Sequence, residues 1–194
     1  MALIFNSSEV PSSGEVIQNS TSLSVLKFGS VEVWRRVTDL NVLTSGSYVL
    51  SSNNYDSGCN SSKLYTGYSY EYGNGRYNHA ACIRVATGEH SHLYLAGTMY
   101  RAWYAMSRVR VGSADPRLCD NLYNGEGEGP YHEYLEYHSG WVDNQRWCTS
   151  LSFSRTISVP KNKNIYISVQ GTNTTDSNEW CTATPFLDQI ILKP

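Results

Sequence analysis

Many of the apolar clusters of this sequence alternate with period two, and no stretch carries the apolar stripe of a surface helix. S-L-S-F-S-R-T-I-S-V, from Ser150 to Val159, is the plainest case. Leu151, Phe153, Ile157 and Val159 share one face, and Arg155 fills the inward slot between them. Such an interruption marks a bulge, a strand end or a buried charge that needs a partner. In R-V-R-V at Arg108–Val111 the valines face one side and the arginines the other, and I-R-V at Ile83–Val85 follows the same rule. The best rival for a helix is Tyr94–Met106, where Ala, Leu and Met favour one. Gly97, Thr98 and the crowded aromatics favour two strands around a turn instead.

Candidate strands fall at 47–52, 63–72, 79–87, 92–96, 98–105, 108–111, 131–137, 147–159, 164–171 and 186–192, separated by Gly, Asn, Asp and Ser clusters. So many short antiparallel strands predict an all-β fold, an antiparallel, jelly-roll-like β-sandwich that buries one face of each strand. The 194 residues suit one such domain with a short addition. Charged residues make up 16% and aromatics 12%, which excludes a disordered chain. The 15 basic residues are scattered among 17 acidic ones, so no surface tracks a nucleic-acid backbone. No apolar run approaches the roughly 20 residues of a membrane-spanning helix, and no membrane insertion is expected. Residues 1–10 lack a basic, then apolar, signal pattern, so synthesis in a cytoplasm is the expectation. The acceptor sites at Asn6, Asn19, Asn60 and Asn173 would matter only on a secretory route.

Residues 1–37 have a different texture from 38–194, and the two are read as an N-terminal hairpin-repeat segment for attachment or assembly and a sandwich domain. L-I-F-N-S-S-E-V from Leu3, V-I-Q-N-S-T-S-L from Val16 and L-K-F-G-S-V-E-V from Leu26 share one grammar: strand, two-residue turn, strand. Asn6, Asn19 and Gly29 stand where a tight hairpin needs tolerance of positive φ. Such small hairpins cannot bury much alone, so Phe5, Val10, Phe28, Val33 and Trp34 are the candidate assembly residues. This segment, closing on V-E-V-W-R-R at Val31–Arg36, resembles the I-F-N-G-T-E-V runs that begin bacteriophage tail and fibre proteins. Ser7 and Gln18 depart from the usual residues. The resemblance implies a virion structural protein made in the host cytoplasm, with other virion proteins as partners. It transfers no catalytic residue. The closing run F-L-D-Q-I-I-L-K is similar to the last strand of galactose-binding-like jelly rolls.

In L-Y-T-G-Y-S-Y-E-Y-G-N-G-R-Y, Tyr68, Tyr70 and Tyr72 share a strand face beside Arg76. Rigid amphipathic rings suit a sugar, and they suit a packed interface equally; packing is the commoner use. Trp141 and Trp180, in polar loop-like settings, join these as ligand-binding candidates. His90 and His92 form an H-x-H pair that could hold a metal across a symmetry axis, but loop histidines are commoner and no metal is assigned. Glu126, Glu128, Glu133 and Glu136, with His132 and His138, gather in and after the run of Gly125, Gly127 and Gly129 and read as a solvated acidic loop rather than a glycosidase pair or a calcium site. Cys59, Cys82, Cys119, Cys148 and Cys181 lack zinc or redox spacing; free thiols are expected, and a Cys148–Cys181 disulfide stays open.

With no nucleophile elbow, phosphate loop or H-E-x-x-H helix, the reading is non-enzymatic and free of cofactors. A phage tail fibre or receptor-binding tip is expected, a homo-oligomer with a trimer favoured, attaching to a host-surface glycan. A capsid decoration or head-fibre protein, or a carbohydrate-binding module outside a phage, are the alternatives. The low charge fits a surface shared with neighbours.

Overall fold

The computed structural model describes residues 4–5, 8–9, 16–18, 21–23, 25–28, 31–52, 57–67, 76–101, 106–114, 133–139, 149–176 and 179–194. Its side-chain description covers residues 25, 35–52, 57–67, 79–101, 106–114, 133–139, 149–171 and 183–194.

Three antiparallel hairpins open the chain. β1 (Ile4–Phe5) pairs with β2 (Ser8–Glu9), β3 (Val16–Gln18) with β4 (Thr21–Leu23), and β5 (Val25–Phe28) with β6 (Val31–Arg35). The innermost pairs are Phe5 with Ser8, Gln18 with Thr21 and Phe28 with Val31, so two residues join the strands each time.

Two antiparallel sheets follow. Their strands are β7 (Leu40–Asn41), β8 (Val49–Ser52), β9 (Gly58–Cys59), β10 (Leu64–Tyr65), β11 (Arg76–Ala86), β12 (His92–Arg101), β13 (Ser107–Gly112), β14 (Leu135–His138), β15 (Thr149–Ser158), β16 (Asn164–Asp176), β17 (Glu179–Thr182) and β18 (Phe186–Lys193). One sheet runs β15-β12-β18-β10-β9, with β7 also on β18; the other runs β14-β13-β16-β11-β8, with β17 also on β16. From β11 to β12 to β13, and from β14 to β15 to β16, the chain passes between sheets, as it does in a jelly roll. The fold is thus the all-β sandwich that the alternation predicts.

Alternation explains the core. Ala81, Ile83 and Val85 on β11, Val109 and Val111 on β13, and Ile165, Ile167 and Val169 on β16 meet Leu93, Leu95 and Met99 on β12 and Leu187, Ile190 and Leu192 on β18. Each fully buried side chain of this size contributes about 1.5–3 kcal/mol. A one-turn helix, α1 (Val42–Ser45), adds Val42 and Leu43 to this cluster. Asn41 caps it by accepting from the Leu43 and Thr44 amides at 3.1 and 3.3 Å, and Gly46 ends it at φ 65°.

Two expectations need correction. β12 is one continuous strand, not two strands around a turn at Gly97. A register shift against β18 falls between Ala96 and Gly97, and β18 passes so close there that a Cβ on Gly97 would overlap the Phe186 carbonyl oxygen. Arg155 is neither at a bulge, nor at a strand end, nor buried. Its register with β12 is unbroken and its side chain is exposed, with the guanidinium 5.3 Å from the Tyr137 ring centroid and 5.7 Å from that of Phe153. Those two rings, 4.9 Å apart, join the two sheets at their β14 and β15 edges. Arg155 therefore covers this apolar edge with a charge that stacks on it.

Candidate functional site

On β13, β14 and β16 the residues that alternate with the core form a second layer, on the outer face of their sheet. Directly opposed residues of antiparallel strands share a face. Arg108 lies between His138 on β14 and Gln170 on β16, and Arg110 lies between Glu136 and Ser168 in the same way. On the far side of β16, Ala80 opposes Gln170 and Cys82 opposes Ser168. The result is a two-row polar grid, bounded on β11 by small side chains. Valine–arginine alternation correctly placed the arginines opposite the core. It did not predict that this face, too, would be buried: Arg108, Arg110, Ser168 and Gln170 are each at most 1% exposed.

Glu136 organises the charged part. Its Oε1 lies 2.7 Å from His138 Nε2, 3.7 Å from Arg108 Nε and 3.6 Å from Arg110 Nη2. The first is a hydrogen bond; the other two are ion pairs without hydrogen-bond contact. Glu136 and His138 sit half-buried on β14, so Glu136 lies in a strand as the candidate strand 131–137 has it, and the solvated-loop reading of both is corrected. Burial holds the His138 imidazole below its ordinary range; Arg108 and Arg110 push the same way, and the bond to Glu136 opposes them. The neutral ring then donates its Nε2 proton to Glu136 Oε1.

Because the folded His138 binds a proton less readily than the unfolded one, its contribution to stability is complete above about pH 6.5 and is lost as pH falls through the folded value. Urea unfolding between pH 7.5 and 5 should show this loss in the native protein and a smaller one in His138→Asn. Equal losses in the two proteins would refute the assignment.

The inner part of the grid has a different character. Among the described residues, Ser168 Oγ and both amide atoms of Gln170 have no hydrogen-bond partner. Leaving such groups buried and unpaired costs about 1–3 kcal/mol each, so their retention calls for an explanation.

Among the residues singled out in the sequence, Arg76 falls at the start of β11 and Trp180 within β17, while Phe5, Phe28, Val33 and Trp34 fall within the hairpin strands; their side chains lie outside the described residues. Tyr68, Tyr70, Tyr72, Trp141 and Val10 lie outside the described residues altogether, as do Glu126, Glu128 and His132. His90 and His92 serve different segments. The His90 ring nitrogens lie 2.8 and 2.9 Å from the Thr87 and Thr38 carbonyl oxygens, which fastens the chain after the hairpins to the β11–β12 turn. His92 Nδ1 lies 2.8 Å from Ser91 Oγ and 3.1 Å from the Pro194 carbonyl. Cys59 and Cys82 are free thiols, whereas Cys119, Cys148 and the Cys181 side chain lie outside the described residues. Burial pushes the Cys59 thiol up, and its hydrogen bond helps push the Tyr48 hydroxyl up to about 12.

No family model matches the sequence, and no curated protein does. Among solved structures, the chain is similar to TmCBM61, whose structure was determined in complex with beta-1,4-galactotriose. The identity is 12% and the TM-score 0.35, over 76% of this chain and 88% of that one.

Proposed function

We propose that this chain is a non-catalytic attachment protein of a bacteriophage virion, of the tail-fibre or receptor-binding-tip kind. The hairpin segment joins it to an assembly, and the sandwich presents a recognition face to the host surface. The observation that carries this reading is the run of three hairpins, each with strands of two to five residues and a two-residue connection. Isolated two-stranded hairpins are marginal in water, so a row of them gains its stability from neighbours.

The native mass of the purified protein tests it. A symmetric oligomer, a trimer on this reading, is expected at micromolar concentration. Replacing Phe28 and Trp34 together with Ser should release monomers while the melting of the sandwich stays unchanged. A native protein that is monomeric throughout this range would refute the assembly role. Binding to purified capsids rather than to host cells would move the protein from the tail to the head.

A further inference from the structure

We propose that the outer face of the sheet β15-β12-β18-β10-β9 binds a neutral oligosaccharide across Tyr65 and Phe186; the site deepens the attachment reading above and takes its biological setting from it. Tyr65 opposes Phe186, Phe186 opposes Thr98, and Thr98 opposes Ser152, so one row crosses β10, β18, β12 and β15 over about 15 Å. The row lies opposite the core, because the next residues along these strands, Leu64, Leu187, Met99 and Phe153, are buried. Solvent reaches all four side chains, with Tyr65, Phe186 and Thr98 half-buried and Ser152 exposed, so a ligand needs no cavity to approach them. Lys63 shows that the rings turn a face outward: its Nζ lies 5.0 Å from the Tyr65 ring centroid and 5.6 Å from that of Phe186. Its flexible stem lets the ammonium group swing to the rim of a ligand stacked in its place.

Chemistry and charge select the ligand. Aromatic rings take the apolar C–H face of a sugar, and the hydroxyls of Thr98 and Ser152 both donate and accept, as sugar hydroxyls do. The next row of the same face adds the exposed amide of Gln189, beside the small side chains of Ala96 and Ser154. The charges here cancel. Lys63 and Asp188 flank the opposed pair Leu64–Leu187, one on each strand, and Lys193, farther along, is held by Asp39 at 3.9 Å and by the Tyr94 ring at 5.4 Å. An acidic chain would meet Asp188 and a basic one Lys63, whereas a neutral chain is repelled by neither. The chain from the hairpins docks at the other end of this sheet, where β7 pairs with Ile191 and Leu192 and the Thr38 carbonyl meets His90, about 20 Å along β18 from Phe186. The row therefore stays open when the hairpins are engaged. A second copy of the chain is the weaker occupant, since β15 lines the face with exposed Ser150, Ser152, Ser154 and Ser158, a residue type depleted from protein interfaces.

The test uses the full chain with cellotetraose, maltotetraose and mannotetraose as neutral probes and tetragalacturonate as an acidic one, with binding read by titration calorimetry and saturation-transfer NMR. At least one neutral probe is expected to bind, and more tightly than tetragalacturonate. Tyr65→Ala and Phe186→Ala should each weaken that binding about tenfold or more. Ser152→Arg, at an exposed position of an edge strand, should block it with the melting temperature and the native mass unchanged. The proposal is overturned if no neutral probe binds, if tetragalacturonate binds more tightly, or if the variants bind as the native protein does. It is overturned equally if Ser152→Arg lowers the native mass, which would make the face a contact between copies. A native protein that is monomeric yet binds a neutral probe would end the assembly role and leave this site standing, and an assembled one that binds no probe would do the reverse.

Discussion

Gly97→Ala should lower the stability of the sandwich by at least about 3 kcal/mol, which for a chain of this size takes about 6–12 °C from the melting temperature. The position tolerates no side chain, because a Cβ there would overlap the Phe186 carbonyl oxygen and lie 2.7 Å from Leu187 Cα. Both obstacles are backbone, so no rotamer change relieves them. β12 is the central partner of both β15 and β18, and moving it away from β18 would strain the packing of Leu93, Leu95 and Met99 against Leu187 and Ile190. Gly171, on β16, faces a similar obstacle: a Cβ would overlap the Ala183 carbonyl oxygen and lie 2.8 Å from Pro185 Cδ. Gly88 provides the control. It has φ 53°, and a Cβ there would meet only His90 Nδ1, at 3.9 Å, so Gly88→Ala costs only the strain of positive φ, about 1 kcal/mol. Differential scanning calorimetry of the three variants decides the matter; a Gly97→Ala protein that melts within 2 °C of the parent would show that the β12–β18 contact yields freely.

Gly97 also shows why part of the fold was legible from sequence and part was not. Strand periodicity is local, and it places β11, β13, β15, β16 and β18 close to where they lie. The hairpins were readable for the same reason, since Asn6, Asn19 and Gly29 stand at a fixed offset from their apolar neighbours. A glycine inside an alternating run reads as a turn, whereas here it is required by a strand about ninety residues further on. α1 went unseen because a single turn has no periodicity, although Asn41 and Gly46 were its signals. The grid was hidden for a related reason. In N-I-Y-I-S-V-Q-G, Ser168 and Gln170 look like the wet side of an ordinary strand, and alternation states only that they oppose the core. Their burial, and their register beside Arg108 and Arg110, come from the pairing of β16 with β13. Glu136 falls in the candidate strand 131–137, but the glycine run before it favoured a solvated setting, and its place beside Arg108 and Arg110 comes from the pairing of β14 with β13.

Glu136→Ala should cost about 3 kcal/mol, and the loss should persist in high salt. Two buried guanidiniums face this carboxylate, and removing the partner of a buried charge is more damaging than removing the whole set. Salt screens such a site weakly because little solvent reaches it. The pair Lys193–Asp39 sets the scale: its charges are 3.9 Å apart, and its side chains are 42% and 58% exposed, so Asp39→Ala should change stability by no more than about 0.5 kcal/mol. Urea unfolding of both variants at low and high salt separates the two cases, and a Glu136→Ala loss below about 1 kcal/mol would remove Glu136 as the organiser of the face. Replacing Arg108 and Arg110 by Met in the Glu136→Ala background should recover part of the loss, since the two buried guanidiniums that faced the missing carboxylate are then removed.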